Sequence, residues 1–264
     1  MEGELKNYYH IIIATHKPDR SKLGAICKSI DHLLIKDKVR VIIIASGDRN
    51  SMQCISDLLK SYKGFLRSNF LTYRCSPNYG IPHKWNLGIK LAMAMGAELV
   101  TLLTDDSFPI NCFDSESISN YYFQNCDLMD LMLLPSHDND LVNDHKRLFV
   151  YDSGMTFSKE LARKLSFDEK LVHSFTDYKF SFQVATKLGK IVIFPQIVIG
   201  KFEPHATTGE IAYHPNWILY LIFRDSIYWA RSESSLKHKI LILAYFILCL
   251  FQNGCQKVLS LTER

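Results

Sequence analysis

A chain of 264 residues with 47% hydrophobic and 22% charged residues can bury a full core, and this balance excludes a disordered or fibrous protein. The formal net charge of +4 is small and the Lys/Arg residues are scattered, so composition does not indicate nucleic-acid binding. The seven cysteines are odd in number and include no Cys-x-x-Cys pair. That argues against a disulfide framework or a zinc site and fits thiols in a reducing cytoplasm.

The N-terminus, Met1 to Lys6, is polar and acidic, with no signal-peptide pattern. Tyr9 to Ala14 is short and rich in isoleucine, which predicts a buried strand closed by Thr15-His-Lys-Pro-Asp19. Leu23, Ile26, Ile30 and Leu33/Leu34 recur at helical spacing within Ser21 to Leu34. A second strand, Val39 to Ala45, ends at Ser46-Gly-Asp48, and a helix follows over Ser51 to Tyr62. Phe70 to Arg74 reads as a third strand, Trp85 to Met95 as a helix stopped by Gly96, and Leu99 to Thr104 as a fourth strand. Strands and helices that alternate in this way predict a mostly parallel, Rossmann-like sheet with helices on both faces.

Beyond residue 106 the pattern loosens. Asp127 to Leu134 reads as a strand, and the polar stretch Ser136 to His145 as a surface loop. That stretch lacks the glycine and terminal Glu of a calcium loop. Leu161 to Gly189 carries helical spacing on both sides of Asp177, and Ile191–Phe194 and Gln196–Ile199 are strand-like. Trp217 to Trp229 is apolar with interspersed charges. The unbroken apolar run Ile240 to Phe251 has 12 residues and as a helix reaches only ~18 Å, short of the roughly 30 Å of a bilayer core. From Arg231 onward there are five Lys/Arg and two Asp/Glu. A basic, apolar helix suits the surface of an anionic membrane; burial against the main domain or in a dimer is the alternative.

The chemistry concentrates where the fourth strand stops at Asp105-Asp106. In open α/β sheets ligands bind at the carboxyl edge of the strands. Two adjacent carboxylates there repel each other unless a cation intervenes. A hard divalent ion and a phosphate-bearing substrate fit that edge; a turn or helix N-cap is the plainer alternative. Just upstream, Asn78-Tyr-Gly-Ile-Pro-His-Lys-Trp-Asn-Leu-Gly88 leads a glycine turn into a helix, which offers N–H groups and amides to a substrate.

Taken in order, these segments resemble family 2 of the GT-A glycosyltransferases, most closely its rhamnosyltransferase- and galactofuranosyltransferase-like branch. The resemblance runs from about residue 9 to 231. It includes Asp152-Ser-Gly-Met-Thr-Phe-Ser158, the stretch Phe167 to Tyr178 with Lys187-Leu-Gly-Lys190, His205-Ala-Thr-Thr-Gly209, and Arg224 to Arg231. It implies a GT-A domain over 1–231, with a nucleotide-sugar half at 1–107 and an acceptor half at 108–231, followed by a helical tail at 232–264. The implied activity is inverting transfer from a UDP- or dTDP-sugar, such as rhamnose or galactofuranose, to a glycan or lipid-linked acceptor. Its place would be the cytoplasm or the cytoplasmic face of a membrane, contacted through 236–264.

Residue by residue, Asp106 resembles the principal Mn²⁺ or Mg²⁺ ligand and His205 the late metal-ligating histidine. Asp177 resembles the base that takes the proton of the acceptor hydroxyl, and burial among Phe175, Tyr178 and Phe180 would raise its pKa; capping of its own helix is the plainer alternative. Thr15, Asn78, Gly80, Asn86 and Asp105 resemble donor-side residues. Two positions depart from the pattern. Thr104 stands where the family has the first Asp of its metal element, and Ala45-Ser46 stand where it has the Asp facing the nucleotide base, so Ser46 or the later Asp48 must serve. A nucleotidyltransferase is disfavoured because Thr15 to Arg20 lacks the glycines of a triphosphate loop. A non-catalytic sugar- or membrane-surface-binding protein on the same fold is the alternative of another class.

Overall fold

The computed structural model describes residues 9–31, 34, 39–62, 69–109, 118, 120, 131–137, 153–164, 166–172, 176–187, 190–201 and 216–232, and then 235, 236, 239, 240, 243, 244 and 247. His205, Asp152, the loop beyond His137 and most of the apolar tail lie outside the described residues.

The elements run β1 (Tyr9–His16), α1 (Arg20–Ser29), β2 (Val39–Ser46), α2 (Arg49–Lys60), β3 (Phe70–Arg74), α3 (Ile81–Ala94), β4 (Leu99–Thr104), β5 (Ser107–Pro109), β6 (Leu131–His137), β7 (Thr156–Ser158), α4 (Lys159–Lys164), α5 (Thr176–Lys187), β8 (Lys190–Lys201) and α6 (Asn216–Ser232). They form a sheet in the order β3-β2-β1-β4-β7-β6-β8-β5. β3, β2, β1 and β4 are mutually parallel. β7 pairs antiparallel with both β4 and β6, and β6 is parallel to β8, so these two run the same way as β4. β5 is antiparallel to β8. The mixed α/β architecture with a mostly parallel sheet follows the sequence pattern; β5 and β7 are the additions. At three residues each they are too short to show periodicity.

Alternate residues of β1 enter two different cores, as the two-residue period of a strand requires. Ile11 and Ile13 pack with Leu23 and Ile26 of α1 and with Ile55 and Leu59 of α2. Ile12 and Ala14 pack with Trp85 and Ile89 of α3 and with Phe157, Phe167 and Phe180. Cover on both faces is why β1 carries an unbroken apolar run, Ile11 to Ala14, rather than an alternating pattern.

Several boundaries differ from the sequence expectation, each for a local reason. α3 begins at Ile81 rather than Trp85, because Pro82 fits the first helical turn, where its missing N–H has no partner to lose. α1 ends at Ser29, and the Ile30 N–H turns back to the Cys27 carbonyl; Ile30 and Leu34 remain buried beyond that end. The two short strands expected at 191–199 are one strand, β8. Its register against β6 jumps from Phe194 to Val198, and Pro195, which cannot donate a ladder hydrogen bond, lies in the extra segment.

Candidate active site

The sheet order 3-2-1-4 reverses direction between β1 and β4, and the crevice outside their carboxyl ends is where a parallel sheet holds a ligand. The residues brought there are Thr15 and His16 from β1, Ser46 from β2, and Thr104, Asp105 and Asp106 from the end of β4. Asp105 and Asp106 form the tight turn between β4 and β5 and do not start a helix.

The two carboxylates are held differently. Thr15 Oγ1 and the His16 backbone N–H both donate to Asp105. Burial, and then the neighbouring Asp106 charge, push the Asp105 pKa up, while these donors and Lys84 pull against the rise. Asp106 Oδ1 accepts from the Thr104 hydroxyl and, at 3.2 Å, from the Ser107 hydroxyl. Ser107 in turn meets Ser153 Oγ, which also accepts the Thr104 backbone N–H at 3.2 Å. The next residue, Gly154, has φ +87°, and its N–H donates to the Leu102 carbonyl at 2.6 Å. The Ser-Gly segment before β7 is thereby drawn onto the end of β4, beside Asp106.

Lys84 was missed by sequence reasoning. It lies on α3, is 1% exposed, and its Nζ donates to the Thr15 carbonyl at 2.9 Å. Burial lowers its pKa to about 8 against the attraction of Asp105, so the ammonium stays charged at pH 7. The available signal was a lysine one residue before buried Trp85, inside an otherwise apolar helix face. His16 was also passed over. Its Nδ1 lies 3.0 Å from Ser46 Oγ and 3.4 Å from Asn78 Nδ2. Burial, followed by the Lys84 and Lys17 charges, lowers its pKa. Lys17 sits in the left-handed region at φ 50°, and its N–H donates to the Ser46 carbonyl at 2.7 Å. This bends the chain after β1 toward the end of β2.

The glycine turn before α3 packs against the 166–172 segment. Gly80 has φ +94°, and a Cβ there would lie 2.7 Å from the Val172 carbonyl oxygen. Asn78 Oδ1 accepts the Gly80 N–H at 3.2 Å. Asn86 faces the same segment. Its Nδ2 donates to the Phe167 carbonyl at 2.9 Å and to Glu169 Oε1 at 2.8 Å, and its Oδ1 accepts the Phe167 N–H at 2.9 Å. Asp48 is exposed and caps α2, accepting the Ser51 N–H and hydroxyl at 2.8 Å each.

Asp177 lies in the first turn of α5 and is half-buried. One turn on, Phe180 stacks on Phe167 at 4.1 Å and tilts against Phe157 of β7 at 5.7 Å. The helix that carries Asp177 is therefore fastened to the segment pinned by Asn86 and to the strand beside β4. Lys179, also on α5, meets Asp168 at 2.6 Å, and Tyr228 of α6 donates to the same oxygen at 3.0 Å.

The donor set suits a hard divalent ion, since two adjacent, part-buried carboxylates offer oxygen ligands. Among the described residues no three His, Cys, Asp or Glu side chains form a metal cluster.

No family model matches the sequence, and no curated protein matches it. Solved structures do match in three dimensions. A mannosyltransferase from Pyrobaculum calidifontis, in complex with GDP-Man and Mn²⁺, superposes with a TM-score of 0.60 at 12% identity over 97% of this chain and 75% of that one. The chain has the GT-A glycosyltransferase fold. Two other GT-A structures agree. GalNAc-T7 with UDP, GalNAc and Mn²⁺ has a TM-score of 0.59 at 11% identity over 75% of this chain. S. aureus TarS 1-349 with UDP-GlcNAc has a TM-score of 0.55 at 14% identity over 90% of this chain and 71% of that one. The match spans 44% of the GalNAc-T7 chain, so the GT-A core is what the two have in common.

Proposed function

We propose that the chain is an inverting, divalent-metal-dependent glycosyltransferase that takes a nucleoside-diphosphate sugar as donor. The observation that carries this reading is the Asp105-Asp106 turn at the β1/β4 switch point of a GT-A fold, with the Ser153-Gly154 segment folded against Asp106. The GT-A neighbours hold UDP, UDP-GlcNAc or GDP-Man, two of them with Mn²⁺, which supports the donor class.

The roles are those the sequence resemblance implies, supported for the described residues by their place at the strand ends. Thr15, Ser46 and Asn78, joined by His16, line the base and ribose side, and Asp105 is fixed by Thr15 at the same rim. Asp48 fixes the start of α2 next to the Ser46 turn. Gly80 and Asn86 act by seating the 166–172 segment beside the donor. Asp106 would hold Mn²⁺ or Mg²⁺, with His205, as the sequence resemblance implies, a further ligand. The bound ion supplies Lewis-acid stabilisation of charge growing on the leaving diphosphate. Asp177 accepts the proton of the acceptor hydroxyl as that oxygen attacks the anomeric carbon from the face opposite the diphosphate. We assign 1–107 to the donor half, 108–231 to the acceptor half and 232–264 to a tail; rhamnose and galactofuranose are the sugars to try first.

The tail supports a lipid-linked acceptor. Leu236, Ile240, Leu243 and Ile247 follow helical spacing and are 72%, 59%, 36% and 50% exposed. Tyr220 and Phe223 of α6 are exposed as well. The excess of lysine and arginine after residue 231 complements anionic lipid. Among the described residues no helix is long and apolar enough to cross a membrane. The exposed apolar side chains and the excess of basic residues favour contact of the tail with the cytoplasmic face of a membrane.

The decisive experiment is turnover of a panel of UDP-, dTDP- and GDP-sugars with and without Mn²⁺. Metal-dependent release of nucleoside diphosphate, lost in Asp177→Asn and Asp106→Ala, is the expected result. Donor binding without turnover in the presence of acceptor glycans would favour the non-catalytic binding protein instead.

A further inference from the structure

The Asp105-Asp106 pair presents an electrostatic problem. A nucleoside diphosphate is an anion, and two carboxylates oppose its approach. The structure carries a cation of its own at this point, a residue of the Asn78–Gly88 stretch to which the sequence motifs give no role. Lys84 rises from α3 beneath the end of β1, is 1% exposed, and has a neutral carbonyl, that of Thr15, as its acceptor. Burying an ammonium in this way is costly unless an opposite charge is close. The opposite charge is Asp105, with which Lys84 interacts coulombically. The two are also joined through one residue, since the Thr15 carbonyl accepts from Lys84 while the Thr15 hydroxyl donates to Asp105.

We propose that Lys84 is a positioning residue that acts as a resident cation of the donor site. Its fixed charge offsets Asp105, leaves Asp106 as the dominant anionic ligand, and gives the metal-loaded site a net attraction for diphosphate. The inference rests on the glycosyltransferase reading above. It has a signature that packing alone lacks, because removing one positive charge moves two affinities in opposite directions. Binding of a bare cation tightens and binding of an anion weakens.

The test is isothermal titration calorimetry on the full chain with two probes, Mn²⁺ alone and UDP at saturating Mn²⁺. Lys84→Gln removes the charge and keeps an N–H donor, on a side chain one bond shorter, for the Thr15 carbonyl. It is expected to bind Mn²⁺ about tenfold more tightly and UDP about tenfold more weakly. Lys84→Arg keeps the charge and is expected to leave both within about threefold of the parent. Losses of both affinities in Lys84→Gln, or no change in either, would overturn the inference. Should Lys84→Gln lack a cooperative unfolding transition, Lys84→Arg carries the test, and loss of both affinities in that variant overturns it. Failure of the parent chain to bind UDP with Mn²⁺ counts instead against the glycosyltransferase reading.

Discussion

Asn86 gives the sharpest test of how the two halves of the site are joined. Substitution by Ala removes the donors to the Phe167 carbonyl and to Glu169 and the acceptor for the Phe167 N–H. Phe167 is 2% exposed, so its N–H and carbonyl lose their partners in a place water does not readily reach. A buried polar group left without a partner costs about 1–3 kcal/mol. Two such groups cost roughly 2–6 kcal/mol; the Glu169 contact adds little because that side chain is partly exposed. Against a domain stability of about 5–15 kcal/mol, the loss is large. Equilibrium urea unfolding measures it, with Lys60→Ala as the control. The Lys60–Asp57 pair is 58% and 39% exposed and removing it should cost under about 1 kcal/mol. A loss for Asn86→Ala no greater than the control would refute the argument that this amide fastens the 166–172 segment. Because Phe167 stacks on Phe180 of α5, sub-denaturing conditions should also show kcat falling more than donor KM rises.

Other outcomes follow from the same geometry. Asp177→Asn should lower the transfer rate by roughly 10²–10⁴-fold while UDP affinity measured by calorimetry stays within twofold. Gly80→Ala should destabilise the fold by at least about 1 kcal/mol in thermal or urea unfolding, because Ala is strained at φ +94° and its Cβ meets the Val172 carbonyl at 2.7 Å. At Asp168 burial raises the pKa, but Lys179, the Lys170 N–H and Tyr228 outweigh it and hold the carboxyl below its ordinary value. A depressed folded-state pKa stabilises above the unfolded value and loses that contribution as pH falls through the folded one. Lys179→Met should therefore cost about 1–2 kcal/mol at pH 7, and its stability gap from the parent should close as pH falls below about 4; a pH-independent gap would contradict the assignment. Ile240→Glu/Ile247→Glu should abolish flotation of the full chain with vesicles containing anionic lipid and leave flotation-independent donor turnover intact. Equal flotation of variant and parent would remove the membrane reading.

The local sequence determined the four parallel strands β1–β4, the helices between them and the position of Asp105-Asp106 at a strand end. The reason is periodicity: an isoleucine run with cover on both faces, or an apolar stripe at helical spacing, reports its own burial. The sequence also supplied an ordered set of motifs that resembles the GT-A enzymes. What it did not disclose were relations between segments distant in the chain. β7 is three residues long and exists because β4 and β6 each pair with it. Ser153 reaches Asp106 through Ser107. Asn86 spends its amide on the segment 81 residues further along. Asp48 is offered by the sequence as a stand-in for the Asp facing the nucleotide base, but its carboxylate caps α2. Lys84 stands in the Asn78–Gly88 stretch with no role of its own until the fold buries it under Thr15. Hydrogen bonds and charges separated by tens of residues leave no periodic trace, so only the folded arrangement decides which acid meets which base. At the switch point it puts two carboxylates beside a buried ammonium.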